Sequence, residues 1–275
     1  SSDLAFRGPD APNMRRDCFG NRQGVLCASL PDGILKCVPR YEHLGTIFMA
    51  EGAIDAEVSH RLARATHAYH QVRKPILMNR HIATSTRLKL FEGLVLPVLF
   101  HGSGNWPLLS HRTLQKVQGL YMKWIRTICA NGFWSADMLS DQQLLMYWQL
   151  PPITLRLAKM RLLYAFHFVQ DCPRLIVDVV TATPEHSLSW IPALRHALVW
   201  LAQMDSTLFM WDPLHATVEE IFAWLACHVD SGPRLVRRLY HRALHQGRVL
   251  HKVVQAHWRL RQCFSRPSHS TQAMR

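Results

Sequence analysis

From Ile54 onward, apolar side chains recur at spacings of three and four residues, which is the period of one helix face. The first series predicts a helix of about six turns. Its apolar positions are Ile54, Val58, Leu62, Ala65, Tyr69, Val72 and Ile76. Because such a face must be covered by other apolar groups, this helix is expected to form one wall of a core.

The same periodicity predicts further helices downstream. One begins at Thr84 or Ser85, and Pro97 is expected to kink or end it. The next is capped by Ser110, and its apolar stripe consists of Leu114, Val117, Tyr121, Trp124 and Ile128. Helical spacing also covers Asp141–Gln149, Ile153–Gln170, Leu188–Met204, Pro213–His228 and Pro233–Phe264.

The first 52 residues have a different pattern of short extended pieces. These pieces are Leu4–Arg7, Val25–Ala28, Ile34–Val38 and Tyr41–Phe48. Pro31-Asp-Gly33 is a turn signal, so at least one hairpin is predicted. The fold class is therefore α+β and predominantly α. We divide the chain into a β segment (1–52), a helical domain (53–170) and a C-terminal helical region (171–275).

Charge is distributed unevenly along the 275 residues, whose net charge is +13. Residues 1–52 carry six basic and six acidic side chains, and residues 53–170 carry 14 and five. Residues 171–231 carry two and eight, and residues 232–275 carry ten and none. The helical domain and the tail are thus strongly basic, which favours a polyanionic partner.

Three predicted helices place polar and mostly basic side chains on the face away from the apolar stripe. The first carries His60, Arg64, His67, Gln71 and Lys74, and the third carries Arg112, Lys116, Lys123 and Arg126. The last carries Arg234, Arg238, His241, His245, Arg248, Lys252, Gln255 and Arg259. Such stripes are typical of proteins that bind a phosphate backbone, although a charged face is also often only solvated.

No catalytic or metal site is predicted from the residues themselves. The seven cysteines are scattered and include no C-x-x-C pair, which argues against a disulfide framework and a zinc ribbon. Cys227-His228 with His241 and His245 offers metal-ligating atoms, but both histidines fall within the basic stripe. The adjacent acids Glu219-Glu220 lie in an apolar helical stretch, where a solvated face explains them.

An intracellular, nuclear or cytoplasmic protein is expected, without a membrane span. The polar first residues lack the apolar stretch of a secretory signal. The most apolar stretch, 88–109, is interrupted by Lys89, Glu92 and Pro97, among others.

Several short motifs occur in an order that points to a known family. They are Tyr41-Glu-His-Leu-Gly45, the helix with Arg61-Leu-Ala-Arg64-Ala, Leu94-Val-Leu-Pro97-Val-Leu-Phe-His101-Gly102 with Trp106, Trp124-Ile-Arg126-Thr-Ile128, Leu150-Pro151-Pro152 and Arg161-Leu-Leu163 with His167. Over about residues 4–170 this sequence resembles the reverse transcriptases of non-LTR retrotransposons, in the segment that follows their active site. His101 stands where that family usually has Tyr.

The resemblance implies a placement for each segment. Residues 4–48 would be the end of the polymerase palm, with a primer grip at Tyr41, Leu44 and Gly45. The helices up to about residue 170 would be the thumb, which holds the template–primer duplex through its backbone. Arg61, Arg64 and Lys74 would contact that backbone, with Arg112, Lys116 and Lys123 behind them.

The resemblance also implies that this chain alone is inactive. The family's aromatic-x-Asp-Asp hairpin lies upstream of the region equivalent to Leu4, and no Asp-Asp pair occurs here. Mg²⁺ is expected only for an intact family polymerase, so no cofactor is predicted for this chain. Its partners would be an RNA or DNA duplex and the upstream polymerase region. The alternative is a basic helical adaptor whose tail docks on an acidic protein surface or on segment 171–231.

Overall fold

The computed structural model describes residues 3–4, 26–30, 33–37, 40–43, 46–49, 54–130, 139–173, 176–178, 180 and 190–246. These residues form short strands followed by helices, which confirms the predicted α+β, predominantly α class. The strands are β1 (Asp3–Leu4), β2 (Leu26–Leu30), β3 (Gly33–Cys37), β4 (Arg40–His43) and β5 (Thr46–Met49).

The strands form two small sheets. In the first, β3 lies between β1, to which it is parallel, and β2, to which it is antiparallel. The β2–β3 hairpin confirms the turn predicted at Pro31-Asp-Gly33, since Leu30 pairs with Gly33. The prediction of one extended piece from Tyr41 to Phe48 is wrong. The chain reverses between His43 and Thr46, which pair with each other, so β4 and β5 form a second hairpin.

Helices make up most of the rest of the described chain. They are α1 (Asp55–Val72), which continues as a π-helical turn (Arg73–Leu77), α2 (Thr84–Leu94), α3 (Leu96–Leu99), α4 (His111–Ala130), α5 (Asp141–Trp148), α6 (Ile153–Asp171), α7 (Ile191–Met204), α8 (Val218–Cys227) and α9 (232–246). A 3-10 turn, Ser103–Asn105, lies between α3 and α4.

Local chemistry explains where several helices begin and end. Pro97 stands at the start of α3, and α2 ends at Leu94, which confirms the prediction that Pro97 would kink or end this helix. The Ser110 Oγ accepts a hydrogen bond from the Thr113 N–H at 3.2 Å, which confirms the predicted cap of α4. Ser140 and Thr217 each form a capping box at the starts of α5 and α8.

Buried apolar side chains form two clusters that meet along α6. The first cluster lies among α1 to α5 and includes Ile153 and Leu157 from the start of α6. The second lies among α7, α8 and α9 and includes Leu162 and Phe166 from the remainder of α6. The clusters therefore divide inside α6, whereas the boundary drawn from the sequence near residue 170 falls at the end of this helix.

The β4–β5 hairpin is joined to α1 by a buried polar network. The carboxylate of Glu57, which is 1% exposed, accepts a hydrogen bond from the backbone N–H of Ile47 at 2.6 Å. Arg61 forms an ion pair with Glu57 at 2.6 Å and donates to the Thr46 Oγ1 at 3.0 Å. This network sets the position of the hairpin on the first two turns of α1.

Candidate nucleic-acid interface

Helices α1 and α4 lie side by side and run in the same direction. The hydroxyl of Thr113, near the start of α4, donates to the carboxylate of Asp55 at the start of α1. Fourteen residues further along α1, the ring of Tyr69 stacks on the ring of Trp124, with 5.1 Å between centroids. Since both contacts follow the order of the two helices, the predicted thumb segment contains a parallel pair.

The outer face of α4 carries three exposed cations. Arg112, Lys116 and Lys123 are all exposed, and they lie within about 40° of one another around the helix axis. The opposite face carries Val117, Tyr121, Trp124 and Ile128, which are buried as the sequence predicted. This surface, defined by Arg112, Lys116 and Lys123, is called the α4 face below.

Arg126 lies beside the α4 face, but its guanidinium is occupied. It forms an ion pair with Asp141 at 2.6 Å and donates to the carbonyl of Leu139 at 2.9 Å. Asp141 is the first residue of α5, and Leu139 precedes the N-cap of this helix. Arg126 is therefore held in the attachment of α5 to α4.

The structure places Arg61, which was expected to contact a nucleic-acid backbone, in a buried position. Arg61 is 5% exposed, and the carboxylate of Glu57 and the hydroxyl of Thr46 bind its guanidinium. Glu57 and Arg61 are four residues apart, which on an exposed helix is an ordinary surface pair. Here the hairpin covers that pair, so Arg61 stabilises the fold instead of facing solvent.

Arg64 and Lys74, the other two basic residues singled out on this helix, are exposed. Arg64 follows Arg61 by three residues and so lies on the side of α1 that carries the hairpin. Lys74 lies on the π-helical turn at the far end of α1. Arg64 and Lys74 therefore lie ten residues apart along the chain, and both are exposed, whereas Arg61 is buried.

Helix α9 has the most basic exposed surface in the described part of the chain. Val236, Leu239 and Tyr240 are buried, whereas Arg234 and Arg238 are exposed. The other exposed cationic or titratable side chains of this helix are Arg237, His241, Arg242 and His245. Residues 232–246 contain no Asp or Glu. We call this surface the α9 face.

One acid lies near the α9 face. Hydrogen bonds from Thr207 lower the pKa of Asp205, and the nearby Arg242 and Arg238 lower it further. Arg237 and Arg242 were not singled out in the sequence, although their positions beside Arg238 on a helix would have identified them. Arg248, Lys252 and Arg259 lie outside the described residues.

A cleft of about 420 Å³ lies between α3, α6 and α9. The Arg156 guanidinium forms an ion pair with Glu92 at its wall, and the Lys159 ammonium lies 4.3 Å from the centre of the Tyr240 ring. Burial lowers the pKa of Lys159, and the neighbouring cations Arg156 and Arg237 lower it further. Sequence reasoning missed this cluster because its members come from distant segments.

The proposed primer grip is only partly described. Tyr41 is half-buried and pairs with Phe48 across the β4–β5 hairpin. Leu44 and Gly45 lie outside the described residues. The primer-grip assignment therefore stays a prediction.

Two of the acidic and metal-ligating residues weighed in the sequence, Glu220 and His228, have structural roles here. Glu220 accepts a hydrogen bond from the Thr217 N–H at 2.8 Å and completes the capping box of α8. The His228 Nδ1 lies 2.8 Å from the carbonyl oxygen of Trp224. Over the described ranges, no three His, Cys, Asp or Glu side chains are grouped in a way that would hold a metal ion.

Comparison with known proteins assigns this chain to no family. Among the described helices, none combines the length and the apolar character needed to cross a membrane. No protein-family model, no curated protein and no solved structure matches this chain.

Proposed function

We propose that this chain is the thumb-like, nucleic-acid-binding part of a retrotransposon-type reverse transcriptase and binds a template–primer duplex without polymerising. The observation that carries the nucleic-acid-binding part of the proposal is the α9 face, an exposed helix surface with arginines and no acid of its own, which lies C-terminal to the region that resembles the family. Arginines on one helix face bind successive phosphates and release condensed counterions, and they do so without reading sequence. An intracellular, nuclear or cytoplasmic location belongs to the same proposal.

The α4 face supports the proposal independently. Its three cations are exposed, and the described structure forms no ion pair with them. The α4 face lies on a rigid support, since the rings beneath it pack against α1 and α2: Tyr69 on Trp124, and Phe91 on Tyr121 at 6.3 Å. Rigid placement matters because backbone recognition depends on the fixed spacing between cations.

Salt-dependent binding tests the proposal. The affinity of the full chain for a labelled RNA–DNA hybrid duplex would be measured by fluorescence anisotropy over a range of KCl concentrations. The double variants Arg234→Ala/Arg238→Ala and Lys116→Ala/Lys123→Ala are each expected to weaken binding by about tenfold and to reduce the log–log salt slope by about two.

Lys89→Ala is the matched control, because Lys89 is exposed on α2 and belongs to neither face. Binding that does not respond to salt, or a control variant that weakens binding as much as the double variants, would contradict the proposal. Magnesium-dependent primer extension by this chain alone would contradict the claim that it does not polymerise.

The second candidate is a basic helical adaptor without nucleic-acid function. The observation that favours it is the proximity of Asp205 to Arg238 and Arg242, since an acid of segment 171–231 does approach the α9 face. Charge reversal at Arg238, Arg248 and Lys252 separates the two functions. Loss of duplex binding by a folded variant supports the first, and loss of folding or of a protein partner supports the second.

A further inference from the structure

A groove of about 480 Å³ lies between the start of α4, the first half of α6 and α7. Its walls are mainly apolar and include Leu108, Leu114, Leu155 and Trp200. The volume lies within the range of roughly 300–1,000 Å³ that small-molecule pockets occupy. Leu108 at its edge is 45% exposed, so the groove opens to solvent.

Two side chains that can carry a positive charge line this groove, Arg161 of α6 and the exposed His196 of α7. Arg161 is the buried one of the two. It is 7% exposed, and its Nη2 donates to the carbonyl of Pro107 at 3.2 Å. The Nε–H group of Arg161 has no hydrogen-bond acceptor among the described residues, and no described carboxylate forms an ion pair with this side chain. Burial lowers the pKa of Arg161 to about 10, so the side chain is still charged at neutral pH.

Other buried arginines of the described chain are better satisfied. Arg61 has the carboxylate of Glu57 at 2.6 Å. Arg87, which lines neither cavity described here, also has no ion-pair partner and an unbonded Nε among the described residues, but it donates to the carbonyl of Leu77 at 3.0 Å and to the Thr84 Oγ1 at 2.6 Å. Arg161, by contrast, forms a single hydrogen bond with the described residues, and that bond is long. Burying a cation without an anion is costly, and this cost is recovered when an anion binds beside it.

We propose that the groove between α4, α6 and α7 binds an unbranched aliphatic carboxylate, of the fatty-acid class, with its carboxylate on Arg161. A guanidinium binds a carboxylate through parallel hydrogen bonds, and apolar walls bind an alkyl chain by excluding water from it. The groove offers the complementary pair, a buried guanidinium and mainly apolar walls. A sugar phosphate fits poorly, because Thr154, His196 and Trp200 are the only other side chains of the described lining that could bond its hydroxyls.

Calorimetric titration of the full chain with sodium decanoate tests this binding. Decanol, which has the same alkyl chain without the charge, is expected to bind at least about tenfold more weakly, since a hydrogen bond to a charged group accounts for that ratio. Arg161→Gln is expected to remove the preference for decanoate over decanol. Equal affinity of the wild-type chain for the two probes, or no decanoate binding at about 1 mM, would overturn the proposal.

A second variant protects the test from a folding defect at Arg161. Thr154 lines the groove and is exposed, so Thr154→Trp is expected to fill it from the surface and to abolish decanoate binding. Thr86→Trp is the matched control, because Thr86 is an exposed helical threonine on α2 outside the groove. Undiminished decanoate binding by Thr154→Trp, or equal loss in both tryptophan variants, would overturn the assignment of the groove.

Discussion

Individual charged residues in this protein differ in how far neighbouring segments bury them. Arg61 and Arg64 are three positions apart on α1, yet Arg61 is buried against the β4–β5 hairpin and Arg64 is exposed. The difference arises because Thr46 and Ile47, which approach from another segment, enclose Glu57 and Arg61. Removing one member of a buried ion pair leaves the other charge uncompensated, whereas removing an exposed cation does not.

Arg61→Ala is therefore expected to lower the free energy of unfolding by about 3–5 kcal/mol. Arg64→Ala is expected to change it by less than about 0.5 kcal/mol, because Arg64 is exposed. Urea denaturation followed by circular dichroism measures both values. Equal effects of the two substitutions would contradict the buried network.

Tyr121 gives a pH-dependent prediction. Its hydroxyl donates to the carbonyl of Pro151 at 3.1 Å, and burial raises its pKa to about 12. The phenol ionises near pH 10 in the unfolded chain but stays protonated to higher pH in the folded chain. Its contribution to the free energy of unfolding is therefore complete below pH 10 and is lost as the pH rises toward 12. The sign follows from the raised pKa in the folded state.

Tyr121→Phe is expected to be less stable than the wild type near neutral pH by about 1 kcal/mol, because a hydrogen bond is lost. This difference is expected to shrink by about 1 kcal/mol between pH 9 and pH 11. Ionisation of the phenol stabilises the unfolded wild type and so lowers its free energy of unfolding, whereas the variant has no phenol to ionise. Denaturation curves of both proteins at each pH measure it. A difference that stays constant over this range would contradict the burial of the Tyr121 hydroxyl.

At the scale of elements, two glycines differ in whether a neighbouring helix packs against them. A Cβ on Gly232, at the start of α9, would lie 2.1 Å from a ring carbon of Phe166 on α6. A Cβ on Gly119, on the exposed side of α4, would meet no atom within 4 Å. The same substitution should therefore have opposite effects at the two positions.

Gly232→Ala is expected to destabilise the protein by about 1–3 kcal/mol, since α9 has to move away from α6. Gly119→Ala is expected to stabilise it by about 0.5–1 kcal/mol, because alanine is the better helix former. Thermal unfolding of the two variants compares them directly. Stabilisation by Gly232→Ala would show that α9 does not pack on Phe166 as described.

The helices themselves were largely predictable from local sequence. The apolar face of α1, the Ser110 cap and the break at Pro97 all depend on neighbouring residues, so periodicity and capping chemistry identify them. The burial of Arg61 and Arg161 was not predictable in this way. Their surroundings come from the β4–β5 hairpin, Pro107 and α7, which are distant in the sequence and come close only in the folded chain.

At the scale of the whole molecule, α6 is common to both clusters of buried side chains. Its first turns pack with α1 to α5, and Leu162, Ala165 and Phe166 pack with α7 to α9. The two clusters should therefore unfold together, since disorder in either one removes the support of α6. Leu162→Ala, which deletes a side chain with no exposure, is expected to cost about 2–5 kcal/mol and to weaken both clusters.

Hydrogen exchange measured by mass spectrometry tests this coupling. In Leu162→Ala, amide protection in α4 and in α7 is expected to fall by similar factors, although Leu162 belongs to the second cluster only. Ala202→Gly is a suitable comparison, because Ala202 is partly exposed on α7 and a glycine there weakens this helix locally. Reduced protection of α7 alone in Leu162→Ala would show that the two clusters open separately.

The position of α6 also limits where this chain can be cut. A piece that ends near residue 170 would keep Leu162, Ala165 and Phe166 but lose α7, α8 and α9, which cover them. The resulting stripe of uncovered apolar side chains would favour self-association of such a piece. A minimal piece for binding studies therefore has to run from the β4–β5 hairpin through α9.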